Sequence, residues 1–312
     1  MSTPQRPSTT VRRGDPGVGT APRGPLDASV FGVGYVVAGS VLIQGSAAAV
    51  THAFAALGPF GTSGLRFAFA AVVLLVVVRP RLVGRTPRTW LSIVGMGGAV
   101  AGMNVCLYAA IDRIPLGTAV AIEFVGPLVV AVAGSRRGLD VVWVSLAAAG
   151  VLLVTGGLTL GSGTGVVFAL GAGLSWAFYL VLTRRVGETS DGFDGLALAI
   201  AVSAILTSPM ALHAAARDPA TADLLLVAGV ACTGVALPYL LEFAALRRLG
   251  VRLVSVLLSL DPALAALIGL LVLHQHLSAS QVAGVALVTI ASAGAVSTGP
   301  PPGPPRAIPV PS

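Results

Sequence analysis

A chain of 312 residues that is 55% hydrophobic and 10% charged, with mean hydropathy +0.91, lies outside the usage of soluble domains, where charged residues are roughly a quarter of the total. This composition excludes a soluble globular protein and points to a polytopic membrane protein. The net charge of +7 and the pI near 10.6 do not indicate nucleic acid, because all 19 basic residues are arginines, most lie in short gaps between apolar runs, and no basic face is interleaved with aromatics.

Residues 1–29 are rich in Pro, Gly, Ser, Thr and Arg and contain no apolar stretch. Arg12-Arg13 is followed by Gly-Asp-Pro, so neither a secretory signal nor a twin-arginine leader is read there, and a disordered cytoplasmic tail is expected. Taking about 20 apolar residues as one span, breaks at charge and turn clusters predict ten helices. Their limits are 30–52, 60–78, 90–111, 115–134, 139–158, 163–183, 194–213, 222–246, 251–273 and 278–298. The closing GPPPGPPRAIPVPS, 299–312, reads as a Pro-rich cytoplasmic tail. The 39 glycines against 5% aromatics favour close helix–helix approach through small side chains. Cys106 and Cys232 lie inside apolar runs at no disulfide or metal-ligand spacing and read as small core residues.

Charge tests this count. With the N-terminus inside, only Arg113 and Arg217 fall outside and Arg66 falls within the second helix, so the other sixteen of the 19 arginines are cytoplasmic. A helix missed or added would scatter them over both sides.

An internal repeat supports the same plan. YAAIDRIPLGTAVAIEFVGPLVVAVAG, 108–134, aligns without gaps to FAALRRLGVRLVSVLLSLDPALAALIG, 243–269. The shared positions include Arg113/Arg248, Pro127/Pro262 and Gly134/Gly269. Five helices per half is an odd number, so the second half enters the membrane from the opposite side, which makes an inverted repeat of the kind secondary transporters use. The expected halves are 30–158 and 163–298.

Ionisable residues inside a membrane helix are costly and normally face a cavity or a partner. Glu123 sits midway along the fourth helix, one turn before Pro127, and Asp261 sits in the ninth immediately before Pro262. Helix breaks are expected at Gly126-Pro127 and at Pro262, since proline removes a backbone hydrogen bond and frees carbonyls. Asp261 has a capping role as its alternative. Glu242, near the inner end of the eighth helix, either pairs with Arg247 or Arg248 or serves as a gate or substrate residue. Arg66 either snorkels from the second helix or pairs with an acid or a substrate carboxylate. Gln44, Asn104, Tyr108, Trp176, Tyr179 and Tyr239 complete the candidate lining, each also able to serve as an interhelical hydrogen bond. Asn104 and Tyr108 share a helix face by their spacing of four. His274 and His276 lack a third ligand nearby and read as a solvated turn, so no metal or other cofactor is expected.

GLRFAFA, AIEFVGPLVVAVAGSRR, LPYLLEFAALRRL and LLSLDPALAALIGLLVLHQHLSASQVAGVAL together resemble the EamA-type transporters of the drug/metabolite transporter superfamily. The chain is most similar to the threonine and homoserine exporter subgroup, over roughly residues 30–298. The resemblance implies an all-α protein of ten helices in two inverted five-helix repeats, cytoplasmic termini, and export of small amino-acid-like metabolites. One departure stands out: the family's usual Gly-Glu at the end of the ninth helix is His274-Gln275 here, so a carboxylate common in relatives is absent.

The expected function is a plasma-membrane exporter of a small zwitterion such as threonine or homoserine, acting as monomer or homodimer. A zwitterion requires an anion for its ammonium and donors for its carboxylate, and a proton can compete with the ammonium for Glu123. Another cargo, an aromatic amino acid, a nucleoside-like metabolite or a cationic drug, is the alternative. A membrane-embedded enzyme is disfavoured, since neither a Gly-x-Gly-Asp string nor His-Glu-x-x-His is present. A structural or lipid-scrambling protein would not require acids at both helix breaks.

Overall fold

The computed structural model describes residues 25–133, 138–156, 162–189, 194–238, 241, 245, 249 and 251–298. These residues are all-helical, as the 3.6-residue chain of backbone bonds is the way a single segment satisfies its polar groups in hydrocarbon. The helices are α1 (Pro25–Ala49), α2 (Phe54–Val78), α3 (Pro87–Ile111), α4 (Leu116–Glu123), α5 (Val125–Ala133) and α6 (Gly138–Gly156). They continue with α7 (Gly163–Thr189), α8 (Asp194–Ala215), α9 (Thr221–Ala231), α10 (Val251–Leu258), α11 (Asp261–Leu273) and α12 (Ala279–Thr298). A 3-10 turn, Val50–Ala53, joins α1 to α2, and a π-helical turn, Cys232–Ala236, extends α9.

Among the described residues six helical segments are long and apolar enough to cross a membrane, with shorter apolar helices at Leu116–Val130, Val141–Thr155 and Thr221–Val235. The first of the six, Val30–Val78, runs through a kink: Gly58 takes φ 68 and helix resumes from Pro59. The second helix therefore has a leading turn, 54–57, outside the expected 60–78. It ends where Arg79 turns left-handed, φ 50, with Pro80 behind it. The third begins earlier than the expected 90, because Thr86 caps it by accepting from the Thr89 N–H at 3.2 Å and Pro87 occupies its first turn.

Small residues let the helices approach closely. A Cβ on Gly64 would lie 2.8 Å from the Thr207 carbonyl of α8, and one on Gly117 would lie 2.6 Å from the Ala266 backbone of α11. Gly150 and Gly284 face each other across α6 and α12, each within 2.9 Å of the other's carbonyl by the same measure. The largest packed pairs are α2 on α8, α3 on α7 and on α8, and α6 on α12, with α4 on α11 and α5 on α7 at the centre. At one end of the bundle Asp194, first residue of α8, accepts from the Arg81 backbone N–H and the Arg85 guanidinium, each at 3.1 Å. Cys232 departs from its expected core position: it is exposed on the π-helical turn, while Cys106 is half-buried.

Candidate functional site

Three prolines shape the centre of the bundle by one mechanism. A proline cannot donate to the carbonyl four residues before it, so that carbonyl is released from the helical ladder. Pro127 releases Glu123, Pro262 releases Leu258 and Pro238 releases Gly234. The chain interrupts accordingly at Phe124, between α4 and α5, and at Ser259–Leu260, between α10 and α11. Both interruptions lie upstream of the prolines themselves, and Glu123 and Leu258 are the last residues of α4 and α10. Asp261 opens α11, whose cap residue Leu260 offers no side-chain hydrogen bond.

Gly234 uses its released carbonyl. It accepts from Arg66 Nη2 at 2.9 Å, while Arg66 Nη1 donates to Asn104 Oδ1 at 2.7 Å. Asn104 is held in turn by its Nδ2 donating to the Val100 carbonyl at 3.2 Å. The guanidinium lies over the Tyr108 ring at 5.5 Å, and that ring packs on Phe54 at 5.7 Å. Arg66 is thus 7% exposed and joins α2, α3 and the π-helical turn rather than snorkelling to a membrane surface. A Cβ on Gly234 would meet Ser46 and the guanidinium, so only glycine admits this approach.

The carboxylates Glu123 and Asp261 are buried, 4% and 6% exposed, at the end of α4 and the start of α11, two helices that pack on each other. Gln44, 4% exposed, directs Nε2 toward the Asp261 carbonyl at 3.5 Å. Trp176 meets Phe124, at the first interruption, edge to face with centroids 4.9 Å apart. Gly126 and Gly173 form the crossing of α5 and α7: a Cβ on Gly126 would run into the Gly173 carbonyl, and one on Gly173 would lie 2.7 Å from the Glu123 carbonyl.

Of the residues singled out in the sequence, Arg66, Asn104 and Tyr108 form one hydrogen-bonded and stacked group; Gln44, which reaches the Asp261 carbonyl, and the two acids are buried on α1, α4 and α11. Trp176 walls the Phe124 interruption, while Tyr179 packs against the apolar clusters of α3 and α8. Tyr239 and Glu242 lie outside the described residues. The Gly234 carbonyl was missed, although Pro238 four residues later was its signal.

Gln275 also has a role that the sequence did not suggest. Its Oε1 accepts from the Leu116 N–H at 2.9 Å, capping α4 from the turn after α11, where Pro115 supplies no side-chain cap. Gln275→Ala is expected to lower stability by about 1 kcal/mol, and Gln275→Glu to match or exceed the parent, since a carboxylate is favoured at a helix N-terminus. Thermal melting of the purified protein checks this; equal losses in both variants would refute the cap.

Comparisons with known proteins agree with this architecture. A model of the EamA-like transporter family matches residues 163–297. Threonine/homoserine exporter RhtA of Escherichia coli (strain K12) is 35% identical over 263 residues, 82% of this chain and 88% of that protein. RhtA of Salmonella typhimurium (strain LT2) is 35% identical over the same shares. A solved crystal structure superposes on 86% of this chain and 97% of its own at TM-score 0.56 and 21% identity, a likeness of fold. With helices of membrane length, buried acids at interrupted segments and a relative that aligns over most of both chains, the protein belongs to the EamA-like transporter family.

Proposed function

We propose that this transporter exports small amino acids of the threonine and homoserine kind from the cytoplasm by alternating access, with a proton and the substrate ammonium competing for Glu123. The observation that carries the reading is the pair of buried carboxyls, Glu123 and Asp261, carried on interrupted helices from different halves of the chain that pack on each other. Acids in such a place mark a transport pathway. The relatives named for threonine and homoserine export supply the substrate class.

The wider plan is ten spans in two inverted halves, 30–158 and 163–298, in the plasma membrane with cytoplasmic termini. Val30–Val78 contributes two spans around Gly58-Pro59, and the three shorter apolar helices bring the six long segments to ten. The packing pairs also exchange consistently between halves. The mates α2 and α8, and α6 and α12, touch directly; α5 on α7 has its counterpart in α1 on α11, α4 on α7 in α1 on α10, and α3 on α8 in α2 on α9. This exchange supports a two-fold relation between the halves, whose axis an odd number of spans per half would set in the membrane plane.

The test is growth of an expressing strain on toxic concentrations of threonine, homoserine and a panel of other amino acids, with extracellular accumulation measured. Protection and accumulation with the small hydroxylated amino acids are expected. Protection by none of the amino acids, with resistance to a cationic drug or a nucleoside instead, would overturn the cargo assignment.

A further inference from the structure

Arg66 places a permanent positive charge inside the protein, 7% exposed, without a carboxylate partner among the described residues. The ion pairs found there, Arg85–Asp194 and Arg113–Asp112, lie elsewhere. Of the five N–H groups of a guanidinium, two are used, by Asn104 Oδ1 and the Gly234 carbonyl, and both acceptors are neutral. The Nε atom is buried with no hydrogen-bond partner, and the Tyr108 hydroxyl, buried beside the same guanidinium, also lacks a partner of good geometry.

A buried cation held only by neutral groups is costly, and glutamine would tie α2 to its neighbours with less desolvation. Arginine is the choice where a planar carboxylate is bound through two parallel N–H groups. These two bonds also pre-orient it: Asn104 and Gly234 hold the Nη atoms, which fixes the plane of the fork and leaves its Nε edge for a ligand.

We propose that Arg66 is the carboxylate-binding residue of the substrate site, taking the α-carboxylate of an amino acid at its Nε edge with the Tyr108 hydroxyl as a second donor. Glu123 and Asp261, the buried acids of α4 and α11, are the anions available to the ammonium end, so that the zwitterion is recognised through both poles. This rests on the amino-acid export reading and deepens it. The site excludes amines, esters and amides that lack a free carboxylate. Asn104 is a positioning residue: as a neutral acceptor it holds Nη1 without neutralising it.

The experiment compares threonine with threoninamide, which keeps the ammonium and hydroxyl but has no carboxylate. Purified full-length protein is melted over a range of each ligand, and exchange of labelled threonine is followed in liposomes. The parent is expected to require on the order of tenfold or more higher threoninamide than threonine for half-maximal stabilisation. Arg66→Gln is expected to weaken threonine to the level of the amide while leaving the amide within about twofold, so that the preference disappears. A merely structural Arg66 would weaken both ligands alike and keep their ratio, which would overturn the proposal. Asn104→Asp is the second variant, decisive if Arg66→Gln does not fold. A carboxylate at that position neutralises the guanidinium internally and is expected to weaken threonine alone; an unchanged preference would again overturn the proposal. Threonine exchange by a parent that does not prefer threonine to its amide would remove the Arg66 assignment but leave export standing. No exchange and no stabilisation by any amino acid would remove both.

Discussion

Glu123→Gln is expected to abolish the pH dependence of amino-acid exchange and to weaken substrate binding by about 2–5 kcal/mol, the usual cost of truncating one partner of a buried charge pair. The side chain is 4% exposed at the end of α4, so glutamine fills the same volume and the fold is kept. What changes is the ability to exchange a proton for an ammonium. The residue at which the two are proposed to compete is lost, and a pH gradient no longer drives accumulation. Initial rates of labelled threonine exchange across a series of pH values check this. A variant with parental rate and an unchanged pH profile would remove Glu123 from coupling.

Gly126→Ala is expected to have the next largest effect, through packing rather than charge. A methyl group there runs into the Gly173 carbonyl of α7, backbone that cannot rotate away as a side chain can. Overpacking of this kind typically costs about 1–3 kcal/mol, and here it displaces α5 and α7 at the interruption that positions Glu123. Loss of exchange together with a lower melting temperature is expected. Gly45→Ala is the control: a Cβ at Gly45 meets nothing within 4 Å, and alanine is the better helix former, so unchanged or slightly raised stability is expected. If the two substitutions melted alike, the close crossing of α5 and α7 would be contradicted.

Membrane residence and the principal spans were legible because lipid imposes a length and an apolar composition that few other constraints mimic. The polar centre was legible for the same reason: an acid in an apolar run has few tolerable locations, and Glu123 and Asp261 lie buried at interruptions of their helices. The proline mechanism was applied at Pro127 and Pro262 but not at Pro238, so the Gly234 carbonyl was overlooked. Finding the mate of that carbonyl requires knowing that α2 and the π-helical turn are neighbours, which is tertiary information. Arg66 shows the same limit. Its distance from a helix end permitted snorkelling, and only the placement of Asn104 and Gly234 against it favours burial. Gln275 resembled a lost carboxylate because one sequence does not record that the position caps a helix from the other half of the chain. The exposure of Cys232 follows from the π-helical turn, which an apolar run does not announce.

Purified protein in liposomes loaded with unlabelled threonine, presented with labelled threonine outside and an imposed pH gradient, offers the most direct test of amino-acid transport through this site. Saturable uptake of label that responds to the gradient in the parent, and loses that response in Glu123→Gln, is the expected result. Absence of threonine and homoserine counterflow in the parent, under conditions where the protein melts as a folded species, would contradict it.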